Sequence, residues 1–246
     1  MGIIKKAAIV TGGSGGIGSG ICRRLARDGR PVAVCYNNSR DIAERSAQEL
    51  RREGLSAAAI HLDLRDIQSI RECLCETEQK LGQADLLVNN AGTAEIGLFT
   101  DLTDERLTEI METDLLGAMK MTREFIPRLI SRHSGCIINI SSVWGESGAS
   151  CEVAYSAAKA GLIGFTKALA KELGPSGIRV NCISCGLIDT KMNSSLTDED
   201  IKAIVDDIPA GRIGTPEDVA AAAAFLSSEE ASYISGQVLR VDGCWL

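Results

Sequence analysis

The sequence predicts an α/β fold, a parallel, doubly wound sheet with helices on both faces. Three observations lead there. Short apolar runs recur along the chain, and each is followed by a segment with helical periodicity. The first run passes without a spacer into T-G-G-S-G-G-I-G (Thr11 to Gly18) and then into a helical pattern. Strand, glycine loop and helix in that order is the context in which a glycine motif marks a dinucleotide site. The chain's 246 residues, 45% apolar and 24% charged, suit one large domain (1–246) better than two small ones.

The elements follow in order. Ala7 to Val10 is the first strand. In the loop behind it, Gly12 permits a tight turn, Gly16 lets the backbone approach a pyrophosphate, and Gly18 lets helix and strand pack closely. The following helix shows Ile17, Ile21, Leu25 and Ala26 on one face and ends at Asp28-Gly29, with its positive end toward the phosphates. Pro31 to Tyr36 is the second strand, and Arg40 to Arg52 the second helix. An acid that would bind ribose hydroxyls is missing at the end of this strand. Instead, Asn37, Ser39 and Arg40 could hold a 2′-phosphate by charge and hydrogen bonds, which favours NADP(H) over NAD. Ala57 to Leu62 is the third strand and ends at Asp63, whose backbone or carboxylate could meet an adenine. Helix Asp66 to Leu81, strand Ala84 to Val88 and the turn N-N-A-G (Asn89 to Gly92, including Ala91) come next. That turn falls at the carboxyl edge of the sheet, where open α/β sheets bind ligands.

Asp104 to Arg132 is the longest helical pattern, with Pro127 expected to end or bend it near its C-terminus. Asp114 falls on its apolar stripe, where a carboxylate is costly unless paired. Cys136 to Ile140 is the fifth strand and Ile178 to Ile183 the sixth. Met192 to Asp207 has few apolar anchors and reads as a mobile lid. Thr215-Pro216-Glu217 starts a helix, with Thr215 as N-cap, and Gly236 to Val241 is the closing strand.

The chemistry concentrates between Ser141 and Lys159. Tyr155 and Lys159 lie four apart on one helical face, so their side-chain ends can share a site. A lysine ammonium beside a phenol favours the phenolate, which would bring the tyrosine toward neutrality and make it an acid or base. Ser141-Ser142 closes the preceding strand and could aim a hydroxyl at the same point. The chemistry indicated is proton transfer to a carbonyl or alcohol oxygen held by a serine.

Composition narrows the function. A net charge of −7 leaves no basic footprint for nucleic acid or an anionic membrane. The longest apolar run, Val219 to Leu226, is too short to span a bilayer. Nine scattered cysteines without a signal peptide suggest a reducing cytoplasm. Cys182 and Cys185 form a C-x-x-C spacing, but with no second cysteine pair nearby and only two histidines, no metal site is expected.

Taken together, T-G-G-S-G-G-I-G, N-N-A-G, Ser142 with Tyr155 thirteen residues on, Y-S-A-A-K, R-I-G-T-P-E-D-V-A and S-G-Q-V-L-R-V-D-G resemble the short-chain dehydrogenase/reductase family over essentially the whole chain. The resemblance implies a seven-stranded Rossmann-like sheet and a homotetramer. It implies that Tyr155 is the catalytic acid, that Ser142 holds the substrate oxygen, and that Lys159 binds the nicotinamide ribose and lowers the Tyr155 pKa. It further implies cofactor contacts from Gly12, Ser14, Ile17, Asp63, Leu64, Asn89, Ile188 and Thr190. Two departures stand out. Asp114 takes the place of the family's fourth catalytic residue, an asparagine, and Ser184-Cys185-Gly186 replaces a usual Pro-Gly pair.

Within the family the overall pattern is most similar to bacterial 3-oxoacyl-(acyl-carrier-protein) reductases, implying an NADPH-driven reduction of a β-ketoacyl thioester. An acidic carrier would need a basic patch at the site mouth. His133 and Ser176 occupy two expected docking positions, with Arg128, Arg132 and Lys171 close by. The block W-G-E-S-G-A-S-C-E-V-A-Y also resembles reductases that act on a 5-aminopentanone carried by a lysine of elongation factor P. NAD-driven alcohol oxidation and a non-catalytic dinucleotide-binding regulator are the remaining alternatives.

Overall fold

A computed structural model describes residues 6–194 and 196–246. Seven strands form one sheet in the order β3-β2-β1-β4-β5-β6-β7, and every neighbouring pair is parallel. The strands are β1 (Ala7–Val10), β2 (Val32–Tyr36), β3 (Ala57–His61), β4 (Ala84–Asn89), β5 (Gly135–Ser142), β6 (Ile178–Cys185) and β7 (Val238–Val241). The interior strands are buried on both faces, so they read as continuous apolar runs rather than alternating ones.

Helices cover both faces. On one face α1 (Gly16–Arg27), α2 (Arg40–Arg52) and α9 (Pro216–Ser227) contribute Ile21, Leu25, Leu50, Val219 and Leu226 to the core. On the other, α3 (Ile67–Leu81), α5 (Gly117–Ile130) and α7 (Val153–Leu173) contribute Ile70, Leu74, Phe125, Leu129 and Leu173. Asp66 caps α3 by accepting from the Gln68 amide at 2.8 Å. Thr215 and Asp218 form a reciprocal capping box on α9, with Pro216 in its first turn.

The expected helix from Asp104 to Arg132 is instead α4 (Asp104–Met111), a π-helical turn (Glu112–Leu116) and α5. The wider turn inserts a residue where Asp114 faces α7, and Leu115 packs against Gly161 of that helix. Pro127 neither ends α5 nor stops it short, because the helix runs on to Ile130. β5 and β6 extend past their expected ends to Ser142 and Cys185, which pair in register. Without a proline at Cys185 the ladder continues to that point.

The expected lid, Met192 to Asp207, contains α8 (Asp198–Asp207), started by a Thr197–Asp200 capping box; Ser195 lies outside the described residues. None of the α8 side chains is buried. The short helix α6 (Trp144–Ser147) follows β5 directly. Among the described residues, no helix is long and apolar enough to cross a membrane, and no cluster of three or more histidine, cysteine or acidic side chains could hold a metal ion.

Candidate active site

At the carboxyl edge of β1, the Thr11 hydroxyl accepts from the amides of Asn90 (2.9 Å) and Ala91 (3.0 Å), tying the glycine loop to the turn after β4. The Asn90 side chain donates to the carbonyls of Thr11 (3.0 Å) and Gly12 (3.2 Å). Gly12 sits at φ +62, where a side chain would be strained. A Cβ on Gly18 would stand 2.3 Å from the Gly12 carbonyl oxygen, so its glycine permits close packing of loop on helix. A Cβ on Gly16 would stand 2.5 Å from the Thr190 methyl, so this glycine also admits Thr190 from the far side of the edge. Ser14 and Ile17 lie half-buried in the same loop and first turn.

This loop fits a dinucleotide phosphate group. α1 has no side-chain cap and no acid in its first turn, which leaves its first amides and its positive end open to an anion. At the neighbouring strand end, Asn37, Ser39 and Arg40 are all exposed. Ser39 does not cap α2, and Arg40 forms no ion pair with the described residues. The structure therefore leaves these polar side chains exposed just beyond β2.

Several other residues expected to contact the cofactor have their side chains engaged within the protein. Leu64 and Ile188 turn their side chains into the core, leaving only their main chains toward the edge. Asn89 is buried and donates to Thr122 Oγ1 (2.9 Å) and Asn139 Oδ1 (2.8 Å), so its side chain braces β4 against α5 and β5. Asp63 is half-buried, but Arg65 pairs with its carboxylate at 2.9 Å and Ser69 Oγ accepts from its amide at 2.9 Å. The side chain is consequently engaged by its own turn.

The candidate catalytic side chains converge at the ends of β5 and β6. Ser141 and Ser142 have separate roles. The Ser141 hydroxyl donates to the Lys159 carbonyl at 3.0 Å and anchors α7, while Ser142 Oγ accepts from the Trp144 amide at 3.2 Å and hydrogen-bonds Tyr155. Lys159 is buried, with Nζ 5.4 Å from the Tyr155 ring centroid and 3.3 Å from the Ile140 carbonyl oxygen. Its closest charged partner is Asp114, whose Oδ2 lies 3.1 Å away. Asp114 Oδ1 accepts from the Thr93 amide at 2.8 Å. Gly92 makes room for the pair, since a Cβ there would stand 2.7 Å from Asp114 Oδ2 and 3.1 Å from Lys159 Nζ.

The electrostatics correct one expectation. Burial raises the Tyr155 pKa, Asp114 adds to the rise, and Lys159 and the Ser142 hydrogen bond only oppose it. The phenol is thus held above its ordinary value in the unliganded protein, not brought toward neutrality. Burial pulls Lys159 down, but Asp114 and Tyr155 outweigh it and keep the ammonium charged. Burial raises the Asp114 carboxyl against the pull of Lys159 and the Thr93 amide. Cys182 and Cys185 are buried thiols, each pushed up to about 12 by burial.

Beyond Ser142, Trp144 stacks edge-to-face on Trp245, with centroids 5.0 Å apart, and Arg240 pairs with Glu146 at 2.8 Å. These contacts hold α6 against the C-terminal residues. The expected basic docking patch is elsewhere. Arg128 and Arg132 both pair with Glu78 at 3.3 Å, and Arg132 also donates to the Ala84 carbonyl at the start of β4. That is the amino edge of the sheet, opposite the catalytic side chains, so within one protomer these arginines do not face the site mouth. Thr93, Asn90 and Trp144 escaped the sequence reading; Asn90 lay inside the N-N-A-G motif, but nothing in the pattern told its role from that of Asn89.

A family model described as enoyl-(acyl carrier protein) reductase matches residues 12–245. An oxidoreductase of Bacillus subtilis, designated uncharacterized, is 40% identical over 243 residues, covering 98% of this chain and 99% of its own length. A 3-oxoacyl-(acyl-carrier-protein) reductase of Chlamydia muridarum is 40% identical over 246 residues, covering 98% of this chain and 97% of the relative. The crystal structure of a candidate gluconate dehydrogenase from Agrobacterium tumefaciens is similar with a TM-score of 0.93 and 31% identity, covering 98% of this chain and 96% of that one.

Proposed function

Because the chain belongs to the short-chain dehydrogenase/reductase family, we propose that it is an NADPH-dependent carbonyl reductase acting on a 3-oxoacyl-(acyl-carrier-protein) thioester. The observation that carries this reading is the convergence of Ser142, Tyr155 and Lys159 beside an anion-ready glycine loop. The relatives named as 3-oxoacyl-(acyl-carrier-protein) reductases support the substrate class. Bound NADPH supplies the hydride that reaches the carbonyl carbon. The rest falls to the chain's own residues. Ser142 donates a hydrogen bond to the carbonyl oxygen, Tyr155 gives its phenolic proton to that oxygen as charge develops there, and Lys159 stabilises the phenolate left behind. Arg40, Ser39 and Asn37 would grip the 2′-phosphate.

The test is NADPH oxidation with an acetoacetyl thioester, run beside NADH and beside Tyr155→Phe. Turnover with NADPH is expected, falling on the order of 10²–10⁴-fold in the variant. Undiminished turnover in Tyr155→Phe would sink the assignment.

One observation favours a second reading, reduction of a ketone carried on a lysine of elongation factor P. Arg128 and Arg132 are committed to Glu78 on the far edge, which weakens the case for an acidic carrier docking on the same protomer. Tight NADPH binding without thioester turnover would select it. We also propose a cytoplasmic homotetramer of one-domain subunits. Supporting this, Leu116 and Met119 on the π turn and α5, and Phe225, Tyr233 and Leu239 near α9 and β7, leave apolar surface exposed on two faces.

A further inference from the structure

The buried pair Asp114–Lys159 supports an inference about the pH range in which the site can act as an acid. It rests on the carbonyl-reductase reading for its consequence, but not for its test. Both side chains are sealed from water, at 1% and 4% exposure, and are 3.1 Å apart. The same ammonium is 5.4 Å from the Tyr155 ring centroid. A cation held against an anion presents a dipole to anything farther away, and the field of a dipole falls off faster than that of a charge. The stabilisation that Lys159 gives a Tyr155 phenolate is therefore weakened. The site is built to keep the two charges together: the Thr93 amide fixes one carboxylate oxygen, and Gly92 leaves room for the other to reach Nζ.

We propose that Asp114 partly neutralises Lys159 toward Tyr155 and so keeps the phenol protonated into more alkaline solution, extending the pH range in which the site can give a proton to a ketone. Asp114 is a positioning residue in this scheme, since it acts through Lys159. The other groups around Tyr155 do not offset it. Cys185 on β6 is a buried thiol pushed up to about 12 and stays neutral. Cys182, on the same strand and facing Lys159, is likewise neutral. Ser142 on β5 contributes a neutral hydrogen bond to the phenol. Glu152, at the start of α7, is raised by burial and hydrogen-bonded by Trp144. Arg106 on α4 faces Asp114, but its guanidinium is taken by Glu95 and Glu109.

The test uses the unliganded full-length protein. Phenolate absorbance is titrated in wild type and in Tyr155→Phe, and the difference gives the Tyr155 midpoint without substrate or cofactor. The expected midpoint lies above the value of about 10 for a free phenol. In Asp114→Asn it should fall by about one unit or more. A wild-type midpoint at or below about 10, or an unchanged midpoint in Asp114→Asn, overturns the proposal. Asp114→Ser supplies the same neutralisation if the amide variant fails to fold, and the wild-type midpoint still decides if neither variant folds. In the active enzyme the alkaline limb of kcat/KM for ketone reduction should move down in pH by the same amount, a shift that loss of packing alone would not produce. A lowered midpoint in a protein that reduces no ketone would refute the reductase reading and leave this one standing.

Discussion

In the cofactor site proposed above, Arg40 would carry the preference for NADPH over NADH. Its guanidinium is exposed, has no ion-pair partner among the described residues and stands beside two exposed polar side chains, Asn37 and Ser39. A charge-assisted contact to a 2′-phosphate is worth about 1.5–3 kcal/mol. Arg40→Ala should thus weaken NADPH binding by about 10- to 100-fold and leave NADH binding unchanged, as measured by fluorescence titration of the two cofactors. Equal losses for both would remove Arg40 from cofactor selection. At this scale the sequence was legible where a residue's role follows from its own chemistry. Tyr155, Lys159 and Ser142 could be picked out because the glycine loop upstream gave an otherwise common Tyr-x-x-x-Lys spacing a site to serve. Leu64, Ile188 and Asn89 could not be resolved, because which way a side chain leaves a strand end depends on neighbours distant in sequence. Asn89 faces Thr122 and Asn139, 33 and 50 residues away. Nor could the spacing of Tyr155 and Lys159 reveal that the lysine's field is directed at a third residue.

At the scale of elements, α9 shows how a short sequence signal becomes stability. Thr215 accepts from the Asp218 amide, Asp218 Oδ2 accepts from the Thr215 amide at 2.8 Å, and Arg212 binds the same carboxylate at 2.7 and 3.0 Å. The Arg212 hydrogen bond, followed by the Thr215 amide, holds Asp218 well below the usual carboxylate range. A carboxyl whose pKa is lowered in the folded state contributes stability above its unfolded value and loses it as pH falls through the folded one. The melting temperature should accordingly fall between about pH 5 and pH 2, and Asp218→Asn should remove part of that fall. A curve of unchanged shape in the variant would count against the assignment. Thr215 and Pro216 announced this helix start in the sequence, because capping is local. The π turn did not announce itself. Ile110, Asp114 and Ala118 keep the spacing of an ordinary helical stripe, and only the need to bring Asp114 to Lys159 across α7 distinguishes the wider turn. Likewise α8 opens on a Thr197–Asp200 capping box, yet buries no side chain, so the few apolar anchors that suggested a lid gave no sign of the helix.

At the scale of the whole molecule, the parallel, doubly wound sheet was legible because apolar runs alternate with helical segments, while its strand order, β3-β2-β1-β4-β5-β6-β7, emerges only in the folded chain. The location of Arg128 and Arg132 on the amino edge was not, since it depends on how the finished sheet sets its two edges apart. Light scattering should give the mass of a tetramer of the 26.1 kDa chain, and charged substitutions at Met119 and Tyr233 should break it into smaller species. A monomeric wild-type protein would overturn the assembly proposed. Trp144 and Trp245, stacked beside the end of β5, are the chain's two tryptophans. All of the tryptophan emission therefore originates at one corner of the molecule, next to Ser142, and none comes from the adenine side, α2 or α8. An unfolding curve followed by that emission reports the opening of this corner, while circular dichroism reports the loss of all helices together. The separation of the two curves would measure how much earlier the reacting end of the sheet gives way than the body that carries it.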